Sequence, residues 1–229
     1  MNIHGLQKMT LLDFPGAVAC TVFLGGCDFR CPYCHNAELL DGSFPPLMDD
    51  AELLAFLRKR RGLLDGVAVT GGEPLLQPEL PALLRAIRAL GYKIKLDTNG
   101  SHPERLQAVL DEGLADYVAM DVKNSPERYG LTIGREDFDV TPIRESVRML
   151  MAGGTDYEFR TTVVAELHDE AAFRAIGEWI AGAKRYFLQP FTDRETVPVG
   201  GLSAPDRESL ERYAAIVRRT VPETHLRGV

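Results

Sequence analysis

Phe23-Leu24-Gly25-Gly26-Cys27-Asp28-Phe29-Arg30-Cys31-Pro32-Tyr33-Cys34-His35-Asn36 is the stretch that decides how this chain reads. It leaves an apolar, β-type run, turns at two glycines and then sets three cysteines at C-x3-C-x2-C spacing. The chain has 4 cysteines in all. Three of them this close together form a cluster, whereas small secreted domains spread cysteines out as staples. Three neighbouring thiolates can converge on one inorganic centre. Tetrahedral zinc needs a fourth ligand, which would be His35 or the distant Cys20. A [4Fe–4S] cluster usually takes four thiolates, so three would leave one iron without a protein ligand. Such an open position is where a substrate binds, as at catalytic zinc. Spacing leaves both centres standing. Cys20, alone inside a strand, reads as a small buried hydrophobe.

Outward from the cysteines, β-rich runs alternate with helical patterns. Strands are expected at 17–24, 66–70, 92–97, 116–121, 157–164 and 185–189, where apolar, β-branched or aromatic residues run up to Gly, Asp or Pro. Asp49 and Glu52 make a capping box, with Met48 placed to staple onto Leu53. Leu80, Leu83, Leu84, Ile87 and Leu90 share one helical face that stops at Gly91. Thr141 precedes Pro142 at a first helical position. Asp169 can cap a helix carrying Phe173, Ile176 and Ile180. Ser203 can cap a last helix with the stripe Leu210, Tyr213, Ala214 and Val217. Six strands alternating with helices predict right-handed βαβ units, an α/β fold and a parallel sheet. Sites in such sheets lie at the carboxyl ends of the strands. Segments 25–35, 71–74, 97–100, 121–124 and 189–192 are therefore expected to meet at one pocket.

Composition narrows the function. The 229 residues carry 26 Lys+Arg against 33 Asp+Glu, a net charge of −7. That balance argues against nucleic acid or a membrane surface as partner. No run approaches the roughly 18–20 apolar residues of a spanning helix. The amino-terminal residues lack a basic segment followed by an apolar run. Clustered thiols and no secretory signal predict a cytoplasmic protein. Arg58-Lys59-Arg60-Arg61 is the one dense basic run. It reads as a solvated helix end or as a dock for an acidic electron carrier.

The cysteine motif resembles that of the radical S-adenosylmethionine superfamily. Its Cys34-His35-Asn36 ending is similar to activating enzymes of glycyl radical enzymes. Upstream, Gly5-Leu6-Gln7-Lys8 and Thr10-Leu11-Leu12-Asp13-Phe14-Pro15-Gly16 resemble the activating proteins of anaerobic ribonucleoside-triphosphate reductases. Activators of pyruvate formate-lyase tend to read Asp-Gly-Pro-Gly there. The resemblance implies a single domain over residues 1–229, a (β/α)6 partial barrel of TIM type with the cysteine loop at 25–36. It also implies a [4Fe–4S] cluster on Cys27, Cys31 and Cys34, with S-adenosylmethionine on the open iron. Reduction of the cluster would break a carbon–sulfur bond of the cofactor and release a 5′-deoxyadenosyl radical. The radical would be passed to a glycine of a partner enzyme. Flavodoxin or ferredoxin would supply the electron. With one cysteine outside the triad, no second cluster is expected.

Further site residues follow, some from their chemistry and some from the resemblance. Gly71 and Gly72 in Thr70-Gly71-Gly72-Glu73-Pro74 let a ligand approach the backbone, or make a plain βα turn. By resemblance this segment, Glu73 included, contacts the methionyl amino group. Lys123 in Asp121-Val122-Lys123-Asn124 can pair with the methionyl carboxylate, or lie on the surface. Asp97-Thr98-Asn99-Gly100 suits a cap or an Asn-Gly turn. By resemblance Asp97, Thr98 and Asp121 offer oxygens to a monovalent cation, and Asn99, Tyr33 and His35 join the cofactor site. Arg160, on an inward strand position, needs an anion. That anion is the cofactor carboxylate, or an internal Glu158 or Asp121. Pyruvate formate-lyase activators carry Tyr-His after the last strand's proline. This chain has Gln189-Pro190-Phe191, so adenine contacts from Gln189 and Phe191 depart from that pattern.

The chain leaves little sequence for a lid, and 41–46 is only a Gly/Ser/Pro connection. An open barrel mouth favours a macromolecular substrate, with the reductase ahead of pyruvate formate-lyase. A radical enzyme acting on a small molecule, of the carboxy-deazaguanine synthase type, and a zinc-binding module are the alternatives.

Overall fold

The computed structural model describes residues 1–41 and 43–229; Gly42, inside the 41–46 connection, lies outside them. The chain forms two compact units. The first comprises Met1–Asp28, Glu38–Thr98 and His102–Val118, and the second Phe29–Ala37, Asn99–Ser101 and Ala119–Val229.

The first unit contains β1 (Asn2–Thr10), β2 (Ala19–Leu24), β3 (Met48–Asp49), α1 (Asp50–Lys59), β4 (Gly66–Gly71), α2 (Leu80–Ala89), β5 (Lys93–Thr98) and α3 (Pro103–Asp111). Its strands run in the order β3-β1-β2-β4-β5. β2, β4 and β5 are parallel, with Thr21, Ala68 and Lys95 in one row. β1 is antiparallel to β2, and β3 to β1. These two strands were not expected, and they correct the reading of an all-parallel sheet. Most of β1 is exposed or half-buried on both faces, so it lacks the period-two signal that marks a strand. A short loop can join it to β2 because antiparallel neighbours need no crossover.

β6 (Tyr117–Asp121) starts in the first unit and ends in the second. The second continues with α4 (Tyr129–Thr132), α5 (Thr141–Ala152), β7 (Asp156–Val163), α6 (Glu170–Trp179), β8 (Tyr186–Pro190), α7 (Arg207–Val217) and β9 (Thr224–Leu226). β7, β8 and β9 are parallel neighbours. The six expected strands are all present, with ends displaced by no more than two residues, and the class is α/β with mostly parallel strands. β9, at three residues, is too short to show a pattern.

A parallel sheet covered on both faces reads as continuous apolar runs. Here the strands alternate instead. In the first unit Cys20, Val22, Leu24, Val67, Val69, Ile94 and Leu96 make one apolar face, each 0% exposed. The other face of the same rows carries Thr21, Ala68 and Lys95. In the second unit Tyr157, Phe159, Tyr186 and Leu188 are buried on one side. Glu158, Arg160 and Thr162 alternate with them along β7. A polar sheet face that needs partners is what positions chemistry in each unit.

The helix caps follow the sequence with two corrections. Asp49 and Glu52 form the expected capping box, at 2.8 and 3.0 Å. Asp169 accepts from the Ala172 amide at 2.8 Å. α5 starts one residue early, so Thr141 is its first residue and Pro142 its second. α7 is capped by Asp206, whose carboxylate accepts from the Ser209 amide at 2.7 Å. Ser203 is held elsewhere, its amide and hydroxyl both donating to Glu166 at 2.9 and 2.6 Å. Asp206→Ala should therefore lower stability by about 1 kcal/mol in urea unfolding, whereas Ser203→Ala should stay within about 0.5 kcal/mol.

Candidate functional site

In the first unit, the cysteine loop leaves the carboxyl end of β2 beside the Gly71-Gly72 turn that leaves β4. Leu24 and Gly71 are register partners. The Gly72 amide donates to the Leu24 carbonyl at 2.9 Å, and the Glu73 amide to the Gly26 carbonyl at 2.8 Å. The approach is so close that a Cβ on Gly72 would lie 2.0 Å from the Gly26 oxygen. Gly71 has φ +124°, and its Cβ would lie 2.2 Å from the Leu24 oxygen. These glycines are thus required by backbone packed on backbone, where the sequence suggested room for a ligand. Cys27 is anchored through its amide to the Leu40 carbonyl at 3.2 Å. Glu73 is fully buried; its carboxylate accepts from the Leu75 amide at 3.0 Å and the Thr98 hydroxyl at 2.9 Å. Its carboxylate serves the turn itself.

Two first-unit groups were missed. Lys95, 2% exposed, pairs with Asp97 two residues on along the same face of β5. The alternation Lys93-Ile94-Lys95-Leu96-Asp97 was the available signal. Asp13 accepts from the Thr21 hydroxyl at 2.5 Å. Cys20 is 0% exposed, and burial pushes its thiol up to about 12, so it behaves as the core residue expected.

In the second unit, Cys31 and Cys34 share a turn, with the Cys34 amide donating to the Cys31 carbonyl at 3.1 Å. Burial pushes the Cys31 thiol up to about 11, against the pull of the Lys123 ammonium. Tyr33 is 4% exposed, and its hydroxyl has no hydrogen-bond partner among the described residues. Burial holds its pKa well above the usual phenol range, and Cys31, Lys123 and Asp121 all act on it. His35 stacks on Phe191 with centroids 5.7 Å apart, and its Nε2 lies 2.7 Å from the Thr192 carbonyl. Gln189 is half-buried at the end of β8.

Asp121 closes β6 between two cations. The Lys123 ammonium is 2.7 Å from Oδ2, and the Arg160 guanidinium pairs with Oδ1. Burial alone would raise this carboxyl; Arg160 and Lys123 outweigh it and hold it well below the usual carboxylate range. Asp121 in turn holds the half-buried Lys123 ammonium in its charged form. Arg160 thus meets the internal Asp121 alternative, while Glu158 is taken by Arg227 at 2.7 and 2.9 Å. Asn99 accepts from the Ser101 amide at 2.8 Å, and Gly100 has φ +77°, the Asn-Gly turn that the sequence allowed.

The proposed cation oxygens are therefore engaged within the protein. Asp97 holds Lys95, Thr98 donates to Glu73, and Asp121 holds Lys123 and Arg160. Among the described residues no group of three or more His, Cys, Asp or Glu side chains is arranged to hold a metal ion. The resemblance suggested these oxygens, and it could not show the lysines and arginine that neutralise them.

His168 also escaped sequence reading. It is 3% exposed, with Nε2 2.9 Å from the Lys123 carbonyl and Nδ1 3.1 Å from the Val164 amide nitrogen. Asn124, 0% exposed, donates to Thr132 and Leu167 at 2.8 and 3.0 Å and accepts from the Ser125 amide at 2.7 Å. The basic run proves remote from the cysteine loop within its unit. Arg58 and Lys59 end α1 and lead into the amino end of β4, whereas Cys27 follows the carboxyl end of β2. A six-residue strand separates those ends by about 20 Å. That distance favours a solvated helix end over an electron-carrier dock.

The family model of the Radical SAM superfamily matches residues 21–172, from β2 into α6. The chain belongs to the radical SAM superfamily. A Methanocaldococcus jannaschii protein provisionally named a glycyl-radical enzyme activating enzyme is 26% identical over 99% of this chain and 96% of its own length. The pyruvate formate-lyase-activating enzyme of Clostridium pasteurianum is 34% identical over 54% of this chain, which spans about half (52%) of that enzyme. The 7-carboxy-7-deazaguanine synthase of Methanopyrus kandleri is 28% identical over 93% of this chain and 86% of its own length. Streptococcus suis SuiB, solved bound to S-adenosylmethionine, has the same fold, with TM-score 0.67 at 13% identity over 91% of this chain and 52% of that one. The protein is accordingly a radical SAM enzyme, and the family works with a [4Fe–4S] cluster and S-adenosylmethionine.

The residues present suit that pair of groups. Three soft thiolate donors are the ligand type of iron–sulfur clusters. The buried, unpartnered Tyr33 hydroxyl within reach of the Lys123 ammonium suits a polar, anionic ligand. No helix among the described residues is long and apolar enough to cross a membrane.

Gly72→Val should displace Gly26 and Cys27, so the purified, anaerobically reconstituted protein should hold markedly less iron, while Cys20→Ala keeps its iron. Iron and sulfide analysis reads both. Burial lowers the His168 pKa below its usual 6.5. The folded state then resists a proton that the unfolded chain accepts, so stability is full above about pH 6.5 and declines on acidification. His168→Gln should flatten that decline between about pH 5 and 6.5 in urea titrations at several pH values.

Proposed function

We propose that this enzyme generates a glycyl radical on a partner protein, with the glycine loop of anaerobic ribonucleoside-triphosphate reductase as substrate. Similarity along nearly the whole chain to the Methanocaldococcus jannaschii protein carries the activase reading. The Cys34-His35-Asn36 ending supports it, and the Leu12-Asp13-Phe14-Pro15-Gly16 segment favours the reductase over pyruvate formate-lyase. The two units act here as one radical SAM domain.

Each of Cys27, Cys31 and Cys34 holds one iron. The bound cluster and cofactor supply one-electron cleavage of the sulfonium and hence a 5′-deoxyadenosyl radical. The protein supplies orientation. Lys123, kept cationic by Asp121, and Arg160 take the methionyl carboxylate, with the Tyr33 hydroxyl as a further donor. The backbone of Gly71, Gly72 and Glu73 faces the methionyl amine, and Asn99 lies at the next strand end. The His35–Phe191 stack and Gln189 take the adenosine. A monovalent cation would compete with Lys95 and Lys123 for Asp97 and Asp121, so these carboxylates are assigned to the lysines. Flavodoxin or ferredoxin delivers the electron, in the reducing, anaerobic cytoplasm that clustered thiols suit.

The deazaguanine synthase relative supports a second reading, a radical reaction on a small molecule. One anaerobic experiment separates them. Protein, reductant and S-adenosylmethionine are mixed with the reductase, with pyruvate formate-lyase, or with a small-molecule precursor of 7-carboxy-7-deazaguanine, and followed by electron paramagnetic resonance. A glycyl doublet on the reductase, absent in each of Cys27→Ala, Cys31→Ala and Cys34→Ala and retained in Cys20→Ala, is the expected result. Consumption of the small molecule without a doublet on either protein would defeat the activase reading.

A further inference from the structure

We infer that His168 is a positioning residue that aims Lys123 at the cofactor, an inference that rests on Lys123 being the cation for the methionyl carboxylate. His168 lies in the segment after β7, and Lys123 in the turn after β6. The Lys123 carbonyl can only accept, so the contact at 2.9 Å requires the proton on Nε2 of His168. Nδ1 is then bare and accepts from the Val164 amide at 3.1 Å, with the Val164 carbonyl oxygen also 3.1 Å away, and the shorter contact at Nε2 sets the tautomer. The other tautomer would put a bare Nε2 against the carbonyl oxygen. Burial keeps the ring neutral, which preserves this one arrangement.

The residues around Lys123 are pinned one after another. The Val122 amide donates to the Arg160 carbonyl at 2.9 Å. The Lys123 amide reaches the Tyr129 hydroxyl at 3.4 Å, and Asn124 is held by three bonds. At the Lys123 carbonyl the donor is His168. That carbonyl sets the peptide plane from which the lysine side chain leaves. Loss of the bond frees the plane to tilt, and the tilt is magnified at the far end of a four-carbon stem. Displacement of about 1 Å is enough to cost a positioned group most of its effect. A merely structural histidine would be felt in stability and not in this geometry.

The test uses the reconstituted holoenzyme and measures the dissociation constant of S-adenosylmethionine, together with the shift it causes in the reduced cluster's paramagnetic resonance signal. His168→Gln can still present an amide N–H to the Lys123 carbonyl and should bind within about threefold of wild type. His168→Leu cannot, and should bind about tenfold more weakly. His168→Asn reaches Val164 but not Lys123, and should weaken binding likewise, which keeps the test intact should the leucine variant not take up its cluster. Lys123→Ala should weaken binding roughly 10- to 100-fold. His168→Leu added to Lys123→Ala should cost nothing more, because the two act as a unit. If Lys123→Ala binds like wild type, the reading of Lys123 fails and takes this inference with it. If Lys123→Ala weakens binding while His168→Leu and His168→Asn do not, the inference alone falls. Equal weakening by His168→Leu with and without Lys123 would also overturn it.

Discussion

Asp121 is a half-buried, charged carboxylate, and a charge partly withdrawn from water is matched within the fold. Lys123 and Arg160 match it. The consequence is mutual, since the carboxylate helps hold the half-buried Lys123 ammonium in its charged form. The end of β6, the turn after it and the middle of β7 are thereby tied by one ionic group. Much of the second unit's polar chemistry serves that group. His168 and Asn124 hold the turn, and Tyr33 brings an unpaired hydroxyl to the same charges. Removing Asp121 would leave two cations unmatched, whereas removing either cation leaves a matched pair.

The first unit is governed by a different constraint, close approach of backbone to backbone. Gly72 passes Gly26 with no space for a β-carbon, and the Gly26 carbonyl is used as an acceptor by Glu73. This contact seats the start of the cysteine loop on the end of β4. Glu73 is buried to hold its own turn and Thr98. Glycine and glutamate residues that look as though they were kept for a ligand therefore have structural work as well, and both uses favour the same residues.

The two units share a design. Each sheet has one apolar face, and each turns alternating polar residues to the other side: Lys95 and Asp97 in the first, Glu158 and Arg160 in the second. Charged residues thus lie on the polar side of the strands in each unit.

The cysteine spacing, the glycine turns and the alternation of strands and helices were sufficient to identify the superfamily and the α/β class, because these are local features set by neighbours along the chain. The cap at Asp169 and the buried nature of Cys20 were legible for the same reason. Partner choice was not. Arg160 had two candidate anions from sequence, and only the fold brought Asp121 to it and sent Glu158 to Arg227. Asp97 and Asp121 looked like cation ligands until lysines were found on them. Ser203 looked like a cap until Asp206 took that place and Glu166 took the serine. β1 carried no periodic signal because neither of its faces is consistently buried. His168 carried none at all. Its meaning lies in a carbonyl 45 residues away, and a hydrogen bond between distant segments exists only once the chain has folded to bring donor and acceptor together.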